Sequence, residues 1–156
     1  MPTALIVYAS WTGNTEEIAE ILTEKLEALN VDVTLLECHQ VDAEDFINYD
    51  IAVVATYTYG SQGSLPEEIE DFHYDLGEVD LHGKIYGVLG SGEEIYGFFC
   101  KSVDDFDKQF QKTGARKGAE SLKIEFNAKS KDVERIEVFA KELVETYKLF
   151  LDLDNF

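Results

Sequence analysis

Ala4-Leu5-Ile6-Val7-Tyr8-Ala9-Ser10-Trp11-Thr12-Gly13-Asn14-Thr15-Glu16-Glu17-Ile18-Ala19 decides how the rest of this 156-residue chain is read. Ala4 to Tyr8 is a continuous apolar run, the pattern of a strand buried on both faces. From Ile18 the apolar residues recur as Leu22, Leu26 and Leu29, which keeps them on one helical face. The turn between strand and helix points unpaired amides and the positive end of a helix dipole at whatever lies in front of it. Ser10, Thr12 and Thr15 add hydroxyl donors, Asn14 an amide, and Gly13 the left-handed backbone that a tight anion nest requires. No Lys or Arg occurs between Met1 and Glu24, so such a site would hold a phosphate with neutral donors alone. Neither GxxxxGK[ST] nor GxGxxG is present, which argues against a triphosphate or a dinucleotide and for a monophosphate. The plainer alternative is a helix capped by Thr12 or Asn14, but four hydroxyl or amide residues around one glycine exceed what a cap needs.

Outward from this stretch, strands and amphipathic segments alternate. Val31 to Glu37 and Ile51 to Ala55 read as the second and third strands, with room between them for only a brief helix. Pro66 opens a helix over Glu67 to Tyr74, as a first-turn proline does. Lys84 to Leu89 is the fourth strand. Phe99, Val103, Phe106 and Phe110 line a helix that Gly114 stops, and Ser121 to Phe126 is the fifth strand. Val133, Ile136, Ala140, Leu143 and Tyr147 stripe the last helix, and the tail from Leu149 to Phe156 is both apolar and acidic. Strands alternating with helices predict a parallel sheet covered on both faces, in one domain spanning residues 1–156.

Thirty-two acids against thirteen bases give a net charge of -19, spread along the chain. Such a surface disfavours nucleic acid and anionic lipid and steers basic protein faces toward it, or serves solubility alone. No apolar stretch approaches the ~20 residues of a membrane span. The N-terminus carries no basic segment before its apolar run, so no signal peptide is expected. Cys38 and Cys100 form no CxxC pair, a usage that fits a reducing cytoplasm. His39, His73 and His82 are scattered without metal-ligand spacing, no metal is expected, and no nucleophile–base pair stands out.

Two further loops should reach the same rim as the phosphate turn. Thr56-Tyr57-Thr58-Tyr59-Gly60-Ser61 follows the third strand, and Gly90-Ser91-Gly92-Glu93-Glu94-Ile95-Tyr96-Gly97-Phe98 follows the fourth. Each carries an aromatic among glycines and small polar residues, and a planar heteroaromatic ring is well held between two such faces, each stack contributing roughly 0.5–1.5 kcal/mol beyond burial.

Ser10-Trp11-Thr12-Gly13-Asn14-Thr15 followed by Glu16-Glu17-Ile18-Ala19 resembles the FMN-phosphate signature of flavodoxins, and the element order resembles the short-chain branch. That resemblance implies an α/β fold, a three-layer, doubly wound five-stranded parallel sheet of strand order 2-1-3-4-5, with FMN at the switch point between strands one and three. It implies Tyr59 as the inner aromatic and Tyr96 as the outer one, with Phe98 and Phe99 in the segment that follows. Ser91, Gly92 and Glu93 would meet the pyrimidine end of the ring through their backbones, and Thr56, Tyr57 and Thr58 would lead into the inner loop. Gly60 matches the position whose carbonyl turns toward the ring's N5, a turn that glycine makes inexpensive; shaping the turn alone is the other reading. Tyrosine replaces the tryptophan common at the inner position, Glu93 and Glu94 stand where aspartate is common, and Trp11 fills a variable place.

The function so implied is a low-potential one-electron carrier, not a substrate-turnover enzyme, exchanging electrons with basic-faced redox proteins, a flavodoxin reductase and an acceptor enzyme. A cytoplasmic monomer is expected. Glu67, Glu68, Glu70, Asp71, Glu93, Glu94, Asp104 and Asp105 follow the ring loops closely. A carboxylate ~10 Å from the ring opposes added negative charge by roughly 0.4–1.7 kcal/mol, so several would lower a potential by about 100 mV. An FMN-dependent reductase or activator flavoprotein of the same fold is the alternative. A phospho-receiver domain shares the strand order but needs an acidic pair after strand one and an aspartate after strand three, where Tyr8-Ala9-Ser10 and Thr56-Tyr57 stand.

Overall fold

A computed structural model describes residues 1–58, 65–93 and 99–154. The strands are β1 (Thr3–Tyr8), β2 (Asp32–Glu37), β3 (Ile51–Tyr57), β4 (Ile85–Gly92), β5 (Arg116–Lys117) and β6 (Leu122–Glu125). The helices are α1 (Asn14–Glu27), α2 (Glu67–Leu76), α3 (Lys101–Lys112) and α4 (Ser130–Asp154). All strand pairs are parallel, in the order β2-β1-β3-β4-β5, with β6 also on β4. This is the doubly wound order 2-1-3-4-5 that the sequence implied. The fifth place is shared: Ile85 and Tyr86 pair with Arg116 and Lys117, and Leu89 to Gly92 pair with Leu122 to Glu125.

The period-2 alternation of each strand divides the core in two. Ala4, Ile6, Val53 and Leu89 face Ile18, Leu22 and Leu26 of α1 and Ile136, Ala140 and Leu143 of α4. Leu5, Val7, Val54 and Val88 face Ile69 and Phe72 of α2 and Val103, Phe106 and Phe110 of α3. Both sets are almost wholly withdrawn from water, and at roughly 1.5–3 kcal/mol per large apolar side chain this burial, not helix propensity, holds the layers.

Four boundaries differ from the sequence reading. β3 runs on through Thr56 and Tyr57 instead of ending at Ala55, so those two residues are strand and not loop. The brief helix before β3 is a pair of 3-10 turns, Cys38–Gln40 and Ala43–Asn48, the second inserting the fully buried Phe46. β4 runs on through Gly90, Ser91 and Gly92, so those residues are strand and not loop. α4 continues to Asp154, and its Phe150 ring lies 5.0 Å from the Arg116 guanidinium. Pro66 stands one place before the first helical residue of α2, and Gly114 ends α3 at φ 82° as expected.

The β1–β3 register sets Tyr8 beside Ala55, and the β3–β4 register sets Tyr57 beside Ser91. The carboxyl ends of the three central strands therefore share one rim. Gly90 allows this close approach, because a Cβ there would fall against the Thr56 carbonyl oxygen and 2.6 Å from Val103 Cγ2. Gly90→Ala is expected to destabilise the fold by about 1–3 kcal/mol, read as a lower urea midpoint with an unchanged slope.

Candidate functional site

α1 starts without a side-chain cap. Gly13 is its N-cap residue at φ 93° and ψ -11°, and neither Thr12 nor Asn14 caps it. A Cβ on Gly13 would meet nothing within 4 Å, so glycine is needed there for its conformation and not for space. Ser10 Oγ accepts hydrogen bonds from the Gly13 and Glu16 amides, both at 3.2 Å. With both lone pairs engaged, its own O–H proton is left for a further acceptor. Among the described residues, no acceptor takes the amides of Thr12, Asn14 or Thr15. These groups, with the positive helix end behind them, make a cradle of the kind that can receive an anion, and no Lys or Arg lines the cavity beside it among the described residues.

The cradle opens into a cavity of about 420 Å³, a size suited to a small ligand. Trp11, Thr12, Asn14, Thr15, Tyr57, Thr58, Ser91, Gly92, Glu93 and Phe126 line it. Thr15 Oγ1 and Ser91 Oγ lie 2.8 Å apart, both buried, and tie the cradle to β4. Thr58 N donates to the Ser91 carbonyl at 3.3 Å. Ser102, fully buried, donates its hydroxyl to the Tyr57 carbonyl at 2.7 Å and its amide to Thr58 Oγ1 at 3.0 Å. The start of α3 thus fixes the direction in which the chain leaves β3.

The structure brings ten of the sequence-derived residues into this one place: Ser10, Trp11, Thr12, Gly13, Asn14, Thr15, Tyr57, Thr58, Ser91 and Gly92, with Glu93 on the rim. Thr56 is fully buried just beneath. Phe99 lies elsewhere, in a groove with Lys123, Lys129 and Arg135. Tyr59, Gly60, Tyr96 and Phe98 lie outside the described residues. Sequence reasoning missed Ser102 and Phe126. A serine at the start of α3 carries no pattern of its own. Phe126 reads as the end of a strand, yet it lines the cavity at φ 57°, a backbone state that an aromatic residue seldom adopts.

The acids near the rim are less uniform than the sequence suggests. Glu68 accepts the Tyr57 hydroxyl at 2.6 Å, Asp104 pairs with Lys123 at 2.7 Å, and Asp105 pairs with Lys101 at 3.2 Å. Glu67, Glu70 and Asp71 stay solvent-exposed. The Tyr8 hydroxyl, behind the cradle, is held protonated above its usual range by burial and then by Glu16 and Glu37. Cys38 and Cys100 are free and buried; burial pushes both thiols up to about 12, Glu37 adding to the rise at Cys38. Neither is a thiolate nucleophile at neutral pH. Cys100 instead takes φ 52° at the start of α3, its sulfur 3.8 Å from the Gly90 carbonyl and 3.9 Å from that of Ile124.

Residues 6–139 match the family model described as Flavodoxin. "Probable flavodoxin 1" of Bacillus subtilis (strain 168) is 39% identical over 142 residues, covering 90% of this chain and 89% of that protein. Among solved structures, the flavodoxin of Streptococcus pneumoniae TIGR4 superposes with a TM-score of 0.89 at 56% identity, covering 92% of this chain and 98% of that one. Oxidised Flavodoxin 2 from Bacillus cereus superposes with a TM-score of 0.87 at 42% identity, covering 92% and 98%.

Proposed function

The chain belongs to the flavodoxin family, and from that premise we propose how its own residues hold FMN and set the electron transfer. The protein is an FMN-binding electron carrier that works with redox partners, not a substrate-turnover enzyme. FMN, when bound, supplies the redox chemistry.

The observation that carries the site assignment is the set of unengaged amides at Thr12, Asn14 and Thr15 around a left-handed Gly13. They fit a mononucleotide's phosphate: a dianion needs several donors, and here they come prearranged by a helix end whose first two amides no side chain takes. Ser10 and Thr12 contribute hydroxyls. Thr15 and Ser91, bonded to each other, set the spacing between the phosphate end and the ring end. Tyr57, Thr58, Ser91, Gly92 and Glu93 border the ring. Tyr59 and Tyr96 are the proposed sandwiching aromatics, Gly60 the proposed N5 partner and Phe98 their neighbour, whereas Phe99, in its separate groove, takes no part. Residues 1–156 act as one domain, a monomer in the cytoplasm; among the described residues no helix is long and apolar enough to cross a membrane.

Thr12→Ala removes one donor to a charged group, at roughly 1.5–3 kcal/mol, and is expected to weaken FMN binding about 10-fold or more. Riboflavin, lacking the phosphate, should bind with unchanged affinity; flavin fluorescence quenching reads both, and an equal loss for the two ligands would remove the phosphate assignment.

Exposed Glu67, Glu70 and Asp71, with Glu93 at the rim, oppose negative charge on the ring and support a low potential. They also support steering toward basic-faced partners, a reductase and an acceptor enzyme. Potentiometric titration should resolve two one-electron steps, the second at low potential. One concerted two-electron step would contradict this reading.

A further inference from the structure

Apart from the cofactor cavity, four side chains with metal-binding chemistry meet at the outer end of β2. Glu37 closes that strand, and Cys38 and His39 form the 3-10 turn after it. Glu68 arrives from the first turn of α2, thirty residues beyond Cys38. One ligand atom from each of the four lies within 4.8 Å of every other. Cys38 Sγ stands 3.5 Å from Glu37 Oε1, and His39 Nδ1 stands 2.7 Å from the same oxygen.

We propose that Glu37, Cys38, His39 and Glu68 form a binding site for a divalent transition cation of the zinc class. A tetrahedral ion with sulfur at ~2.3 Å and oxygen or nitrogen at ~2.0 Å separates its ligands by roughly 3.3–3.5 Å. The sulfur–oxygen pair already has that spacing, and the His39–Glu37 pair has to open by only about half an ångström to reach it. One thiol, one imidazole and two carboxylates select a borderline-soft ion over calcium or magnesium, which take oxygen alone. On loading, the ion forms a bond to the Cys38 sulfur and the thiol proton leaves to solvent, so no oxidant or reductant is involved.

The surroundings are those of a supported site. The Glu37 carboxylate also caps the 3-10 turn through the Gln40 amide, while Gln40 Oε1 accepts the Glu37 amide at 3.0 Å. The Tyr57 hydroxyl donates to Glu68 Oε1 at 2.6 Å and so orients that carboxylate. Cys38 is 6% exposed and anchors the site from inside, whereas the His39 side chain is 62% exposed and leaves a way in for the ion. An ion there would tie the start of α2 to the sheet edge, one side chain away from the cofactor cavity. Linear spacing conceals the group, because Glu68 joins it only through the fold.

The test uses the full chain loaded with FMN, stripped with chelator and then supplied with Zn²⁺ alone. Titration calorimetry should give one ion per chain, and X-ray absorption at the zinc edge should show one sulfur neighbour at ~2.3 Å. Cys38→Ser should abolish the sulfur neighbour, and Cys100→Ser should retain it. His39→Gln, at a position whose side chain is largely exposed, should weaken binding about 10-fold. Zinc bound only by oxygen and nitrogen neighbours would overturn the proposal, as would a sulfur neighbour that survives Cys38→Ser. Unchanged affinity in His39→Gln would overturn it even if Cys38→Ser failed to fold.

Discussion

A phosphate bound at this rim would have to be held by neutral donors in a protein of net charge -19, since no Lys or Arg lines the adjoining cavity among the described residues. Neutral donors hold a phosphate only if they are fixed before it arrives, since each amide contributes little and pays for any disorder. β1 and α1 meet this need by geometry. The strand ends at the rim, the chain turns through one left-handed glycine, and the helix starts with its first two amides, Asn14 and Thr15, unclaimed. Ser10 serves as the keystone of the turn, accepting two amides.

The same rim shows how order is passed from core to site. Val7 and Val54 are core residues whose strands end at Tyr8 and Tyr57, so the packing that withdraws them from water also fixes the loops. Ser102 carries this further, since one buried hydroxyl and its amide hold both Tyr57 and Thr58 against α3. Thr15 and Ser91 do the same between α1 and β4. These bonds cross 44, 45 and 76 residues of sequence, and the Thr15–Ser91 bond is fully buried, where competing water is excluded.

What the sequence revealed follows that division between local and long-range causes. The cradle was legible because strand, turn and helix are contiguous, and each has a pattern: an apolar run, a glycine among hydroxyls, an apolar face at helical spacing. Buried strands were legible for the same reason, as was the stop at Gly114. Ser102, Phe126 and the Tyr57–Glu68 bond were not, since their meaning arises only where separate elements meet. The split fifth strand escaped notice because Arg116 and Lys117 are exposed and charged, unlike a core strand. Its break has a packing cause: Gly118 passes so near Ile85 and Leu143 that no side chain fits there. The end of β4 was misplaced because Gly90, Ser91 and Gly92 have turn composition, yet they are held as strand by Thr56, Tyr57 and β6.

Phosphorus-31 NMR of the FMN-loaded protein addresses the cradle itself. Free phosphate monoesters titrate with a second pKa near ~6, whereas a phosphate wrapped in fixed amide and hydroxyl donors has its dianion stabilised and its proton sites occupied. The bound resonance is predicted to keep one chemical shift from pH 5.5 to 8. A resonance that moves with pH as free FMN does would contradict the account.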